Sequence, residues 1–393
     1  MTISFTSRAV VSACALCTVG LLALAPAAAT PRSGADPGPP DGSRAALPPP
    51  SLLYRHGTQV RPRAGAPEVP DVSARSWLVA DARTGEVLAA YRAHRRLPPA
   101  STLKTLFALT VLPALPAGIR HTVREEELDG IGPGSSLVGV AEERTYRVAD
   151  LWRGVFLNSG NDAVRVLAEL TGGRRATVAR MQAKARALGA HDTRVRSPDG
   201  YDMPGQVSSA YDLAVFGRDG LRNEEFARYC GTAEARFPGA RGWSYPIRNT
   251  NRLLTGADGV RPYRGLIGIK NGYTSRAGHT LVAAARRGGR TLVVTVMNPR
   301  AGGGLTVYEE ARSLLDWGFA AGGRVDPVGS LDALRVGPRP APEAVPVVRA
   351  SPPDDRPGWA EAGAITGAGG LGAGFVALVL RVLRVKVVRS GES

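Results

Sequence analysis

Pro98-Pro99-Ala100-Ser101-Thr102-Leu103-Lys104 is the stretch on which the reading of this chain turns. The two prolines bar a helix from starting earlier, while residues 102–112 are apolar and good helix formers. Ser101 is thereby expected at a helix N-terminus, where free backbone N–H groups point outward and the dipole favours negative charge. Lys104, one turn on, shares a face with that hydroxyl. A serine hydroxyl is a weak nucleophile until a base removes its proton, and a desolvated lysine can act as that base. A capping serine beside a solvated lysine has the same spacing, so this pair alone decides nothing.

Two further segments add weight. Leu157-Asn158-Ser159-Gly160-Asn161 separates two amphipathic helical patterns, 148–157 and 162–170, and such a polar knot can present a hydroxyl and an amide from a loop. Ile267-Gly268-Ile269-Lys270-Asn271-Gly272-Tyr273-Thr274 alternates like a strand and carries a lysine and then a glycine. Glycine inside a strand pattern marks close approach by a ligand or another backbone. The plain alternatives are a helix–helix turn and a solvated lysine on an edge strand. Lysine usage counts against them. Among 50 basic residues only Lys104, Lys184, Lys270 and Lys386 are lysines, and two of these fall in the segments just quoted. Arginine keeps its proton near neutral pH, whereas a buried lysine can release it.

Serine-x-x-lysine, then serine-x-asparagine, then a lysine-x-glycine triplet, in that order, resembles the active-site set of penicillin-binding proteins and serine β-lactamases. Ser197-Pro198-Asp199-Gly200, Ser209-Ala210-Tyr211-Asp212-Leu213-Ala214, Arg248-Asn249-Thr250-Asn251-Arg252-Leu253-Leu254 and Gly272-Tyr273-Thr274-Ser275-Arg276-Ala277-Gly278 extend the likeness. Together they are similar to the low-molecular-mass serine-type D-alanyl-D-alanine carboxypeptidases, actinobacterial in character, across residues 72–320. The resemblance implies that Ser101 attacks the carbonyl between two D-alanines of a peptidoglycan stem peptide, with Lys104 as proton acceptor. It further implies Ser159 as a relay to the leaving amine, Asn161 orienting Lys104 or a substrate amide, and Lys270 setting the electrostatics. The N–H groups of Ser101 and Tyr273, flanking Gly272, would form an oxyanion hole. Asn271 stands where the family carries threonine or serine; its amide, with Thr274 nearby, would meet the terminal carboxylate. The implied inhibitors are β-lactams, and no cofactor or metal is implied.

Two other readings remain open. Asn271 allows a degenerate, non-catalytic wall-binding protein. A β-lactamase would need a deacylating glutamate, and only Glu169 lies near, on the helix after the Ser159 loop. The histidines His56, His94, His121, His191 and His279 show no metal-ligand spacing and are expected mostly at the surface.

The ends read as export and anchoring. Arg8, an apolar run over 9–24 and Ala27-Ala28-Ala29 make 1–29 a signal peptide, whose removal leaves Cys230 as the sole cysteine. Residues 30–70 and 321–361 are Pro- and Gly-rich linkers. Residues 362–380 are uncharged and just long enough to span the cytoplasmic membrane, and 381–393 form a basic cytoplasmic tail. That would leave the catalytic domain, 71–320, outside. The net charge of +16 comes without any nucleic-acid-binding pattern, so it fits anionic wall polymers and lipids rather than nucleic acid.

Within 71–320, strands are expected at 76–80 and 86–91 and as a hairpin at 279–285 and 291–297, with a closing helix at 306–319. The middle, 101–221, reads as mostly helical. Strands from both ends around a helical middle predict an α+β fold, an antiparallel sheet flanked by helices with a helical subdomain. That matches the serine β-lactamase and DD-transpeptidase-like fold that the resemblance implies.

Overall fold

The computed structural model describes residues 50–335. The expected signal segment, spanning run and basic tail lie outside the described residues, as do 30–49 and 336–361 of the two linkers. Among the described residues no helix is long and apolar enough to cross a membrane.

In chain order the strands are β1 (Thr58–Pro62), β2 (Ser76–Asp81), β3 (Glu86–Tyr91), β4 (Arg120–Thr122), β5 (Thr145–Arg147) and β6 (Glu234–Pro238). They continue as β7 (Ser244–Arg248), β8 (Leu266–Thr274), β9 (Gly278–Arg287), β10 (Arg290–Met297), β11 (Val325–Asp326) and β12 (Gly329–Ser330). The helices are α1 (Lys104–Val111), α2 (Val148–Leu157), α3 (Asn161–Glu169), α4 (Gly173–Ala187), α5 (Ala210–Gly220), α6 (Glu224–Cys230), α7 (Arg252–Thr255) and α8 (Thr306–Ala320).

One antiparallel sheet runs β11-β1-β3-β2-β10-β9-β8, with β12 added to β3. Both expected hairpins are present. The β9–β10 connection is the pair Gly288-Gly289, both at positive φ, the conformation that a tight hairpin needs to follow the twist of its strands. β2 is buried along its whole length because helices cover both faces of the sheet. Alternate residues sort to two cores. Val79, Leu281, Ala283, Val294 and Val296 pack with Val307, Ala311, Leu314 and Leu315 of α8. Leu78, Ala80, Val282, Ala284 and Val293 join Leu213 and Phe216 of α5, and with them Leu106, Phe107 and Trp152 of the helical subdomain. Cys230 is a packing residue of that second core, and burial pushes its thiol up to about 12.

Three expectations need correction. The folded domain is wider than 71–320, because β1 falls within the first linker and β11 and β12 within the second. Each is too short to display a two-residue period, yet β1 and β12 cover an edge of β3 that would otherwise be open to pairing, and β11 covers β1 in turn. Ser101 is not the cap of an α-helix. It lies in a 3₁₀ turn, Ala100–Leu103, that runs directly into α1. Finally, three histidines are half-buried and engaged. His94 pairs with Asp192 at 2.8 Å between Tyr54 and Tyr211, His121 pairs with Glu127, and His279 packs at a tilt against the ring of Tyr273.

Candidate active site

The turn that carries Ser101 is fixed from below. The carbonyl of Pro99 accepts from Thr102 Oγ1 at 2.5 Å and from Thr280 Oγ1 of β9 at 2.9 Å. Ala100 then takes φ +50, a left-handed value that costs a non-glycine residue about 1 kcal/mol or more. Two glycines press on the same backbone. A Cβ on Gly200 would lie 2.0 Å from the carbonyl oxygen of Ala100, and one on Gly272 would lie 2.6 Å from the nitrogen of Ser101. The close approach expected of the triplet's glycine is therefore made to the Ser101 backbone.

Lys104 is only 1% exposed. Its ammonium donates to Ser101 Oγ at 2.9 Å, Asn161 Oδ1 at 2.7 Å and the carbonyl of Asp199 at 2.7 Å. Burial lowers its pKa to about 8, against an opposing pull from Asp199 and Asp162. The acceptors are themselves held. The carboxylate of Asp199 takes Ser197 Oγ at 2.7 Å and the N–H of Tyr201 at 2.9 Å. Asp162, buried beside Asn161, receives the N–H groups of Val138, Gly139, Val140 and Ala163 at 2.8–3.0 Å, which fastens the 138–140 loop over the Ser159 loop.

Ser159 holds φ +58 between α2 and α3, and its buried hydroxyl has no partner among the described residues. A buried hydroxyl left unpaired is uncommon in a native fold and fits a group kept for a substrate. β8 is an edge strand, as the plain alternative for its lysine had it, yet Lys270 is 1% exposed because the Ser101 turn packs on that strand. Its ammonium donates to the carbonyl of Asn271 at 3.0 Å, and burial together with Lys104 drives its pKa well below the usual lysine range. The side-chain oxygen of Asn271 accepts from Thr250 Oγ1 at 3.0 Å. Behind it, Arg252 donates to Tyr308, whose hydroxyl donates to the Thr250 carbonyl. Thr274 instead donates to Asp202 at 2.8 Å.

Of these residues Ser101, Asn161, Asp202, Tyr273 and Thr274 line a cleft of about 420 Å³, whereas Lys104, Ser159, Lys270 and Asn271 are not part of its lining. A larger cavity, about 840 Å³, lies at Arg218 and Asp81 and contains none of the candidate catalytic or substrate-binding residues. Asp162, Asp202 and Thr280 were not foreseen as parts of the site. Each nevertheless stands within two residues of a quoted motif: Asp162 after Asn161, Asp202 after Gly200 and Thr280 after Gly278.

The sequence profile for D-alanyl-D-alanine carboxypeptidase matches residues 63–301. The D-alanyl-D-alanine carboxypeptidase DacB2 of Mycobacterium tuberculosis is 41% identical over 271 residues, covering 68% of this chain and 89% of that protein. A crystal structure of a D-alanyl-D-alanine carboxypeptidase from M. tuberculosis superposes with a TM-score of 0.63 at 39% identity, over 69% of this chain and all of that one. Penicillin binding protein 6B of Escherichia coli superposes with a TM-score of 0.58 at 33% identity, over 67% of this chain and 82% of that one. With the three motifs gathered around one cleft on this fold, the chain belongs to the D-alanyl-D-alanine carboxypeptidase family of serine peptidases.

Proposed function

We infer that Ser101 is the acylating nucleophile through which this chain removes the terminal D-alanine of peptidoglycan stem peptides. The observation that carries this is Lys104 Nζ at 2.9 Å from Ser101 Oγ, inside a buried cage that lowers the amine's pKa to about 8 and so makes the neutral form accessible. Neutral Lys104 takes the hydroxyl proton as Oγ attacks the carbonyl. The oxyanion is met by the N–H groups of Ser101 and Tyr273, at about 3 kcal/mol per donor. The C–N bond then breaks, and the leaving amine receives a proton through Ser159, whose hydroxyl is otherwise unpaired. Water hydrolyses the resulting ester and restores Ser101.

Labelled penicillin together with a D-Ala-D-Ala peptide tests this reading. A lasting adduct with release of D-alanine supports it. Rapid turnover of the drug would indicate a β-lactamase, and no adduct a binding protein. The geometry disfavours the β-lactamase, since Glu169 receives the N–H of Arg174 at the end of α3 and does not line the cleft.

Asn271 sits at the Lys270 end, where the leaving D-alanine carboxylate is expected. Its amide is longer than a threonine hydroxyl and its oxygen is already tied to Thr250, so its contact with the carboxylate should be less well aimed. Asn271→Thr should raise kcat/KM on a D-Ala-D-Ala peptide by up to about tenfold, and Asn271→Ala should lower it. Equal kcat/KM in Asn271→Ala and the parent would remove this residue from the substrate contacts.

A further inference from the structure

The larger cavity, about 840 Å³, lies at the end of the sheet away from Ser101. Thr280 of β9 stands opposite Gly272, and Arg286 lies about 20 Å further along the same strand. Five of the sixteen residues lining the cavity are arginines, Arg83, Arg218, Arg222, Arg286 and Arg290, whereas only 50 of the 393 residues in the chain are basic. The fold gathers them from three separate stretches, the β2–β3 turn, the end of α5 and the β9–β10 hairpin.

Three of the five are spent on the fold itself. Arg218, 6% exposed, donates to the carbonyls of Ala82 and Arg83 at 2.8 and 3.3 Å and to Asp332 at 2.8 Å. Arg290 donates to Asp81 at 2.8 Å, and Arg222 to Asp219 at 3.2 Å. Those acids have nothing to spare. Asp81 also accepts the N–H groups of Arg83 and Thr84, and Asp219 and Asp332 each take Arg335 as well, at 3.3 and 3.8 Å. Arg83 and Arg286 are the remainder. Both are exposed, and neither joins an ion pair among the described residues, Arg286 giving its Nε to the neutral Thr291 hydroxyl. Glu86, the other acid in the lining, accepts from Thr84 and is outnumbered by these two guanidiniums.

We propose that this cavity binds a polyol-phosphate chain, with Arg83 and Arg286 each taking one of its phosphates. A guanidinium addresses two phosphate oxygens at once, and both of these are free to do so. Ala82 bonds to Thr291 of β10, which pairs in turn with Arg286, so the backbones that carry the two arginines stand about 10 Å apart with β10 between them. A ligand with phosphates at intervals reaches both without drawing two cations together, as a single ion must. The volume suits an extended ligand. No aromatic residue lines the cavity, so the bases of a nucleic acid would find no platform to stack on. The charge of +16 attracts polyanions to the whole surface, and this cavity is where one is held. Remote from Ser101, the site would tether the domain to an anionic polymer and owes nothing to the hydrolytic reading.

The test titrates a fluorescently labelled glycerol phosphate hexamer with the full chain and reads its anisotropy at about 0.15 M salt, where diffuse surface attraction is largely screened. The double variant Arg83→Gln/Arg286→Gln should weaken binding more than about tenfold, the size of two lost charge-assisted contacts at exposed positions. Arg174→Gln/Arg175→Gln removes the same charge at the start of α4, outside the cavity, and should weaken it less than about threefold. Unlabelled hexamer should displace the probe at concentrations at least about tenfold below those of inorganic phosphate, because several phosphates engage together. Vesicles of phosphatidylglycerol and a thymidine hexanucleotide should displace it poorly. Absence of binding, or equal weakening by the two double variants, overturns the proposal. So does displacement by inorganic phosphate, by the vesicles or by the oligonucleotide at the concentration at which the unlabelled hexamer acts, since the ligand would then be a single ion, a lipid headgroup or a nucleic acid.

Discussion

Replacing Ser101 by alanine is expected to abolish both the covalent adduct with labelled penicillin and the release of D-alanine, while the domain stays folded. The hydroxyl forms one hydrogen bond, accepted from Lys104, and Lys104 retains Asn161 and the Asp199 carbonyl when it is gone. Loss of one such bond costs about 1 kcal/mol. The turn itself is held by Thr102 and Thr280 on Pro99, contacts that Ser101→Ala leaves in place. Mass spectrometry of the drug-treated protein, with a melting curve to verify folding, gives the answer. A folded Ser101→Ala chain that still gains the mass of the drug would place the nucleophile elsewhere, and Ser159, buried with its hydroxyl unpaired, would be the first candidate.

What the sequence disclosed and what it hid divide along physical lines. β2, β3, β9, β10 and α8 were legible because each is long enough to show its period and is bounded by a turn. β1 and β11 were not, since a five-residue and a two-residue strand in proline-rich chain owe their form to the edge they cover. At the site, Ser101 and Lys104 announce themselves because one turn of helix joins them. Lys270 stood out through the scarcity of lysine and through the glycine two residues on in a strand-like run. Asp162 and Asp202 were silent, because their roles come from backbone N–H groups and hydroxyls that the fold brings from 24 and 72 positions away, and no local pattern encodes such partners. The histidines illustrate the same point. Nothing around His94 in the sequence indicates Asp192, nearly a hundred residues on.

Lys104→Arg is expected to slow acylation by about a thousandfold, within the range that a general base contributes. Arginine retains the charge, but its guanidinium cannot take a proton from Ser101 near neutral pH. The cage also fits badly, because three acceptors converge on one ammonium nitrogen and a planar fork cannot address all three from that point. The pH dependence separates loss of the base from mere misfit. With a folded-state pKa of about 8, lowered from the usual lysine value by burial, the neutral amine is the minor form at pH 7 and the major form at pH 9. The rate of penicillin acylation should therefore climb nearly tenfold per pH unit below 8 and level off above it. In Lys104→Arg that rising limb should be gone, leaving a low, flat rate. A parent profile flat from pH 6 to 9, or a variant within tenfold of the parent, would remove Lys104 from the role of base. The other buried amine then becomes decisive, since Lys104 and Lys270 each disfavour a second proton on their neighbour. A rising limb that persists in Lys104→Arg and disappears in Lys270→Met would assign the proton transfer to Lys270.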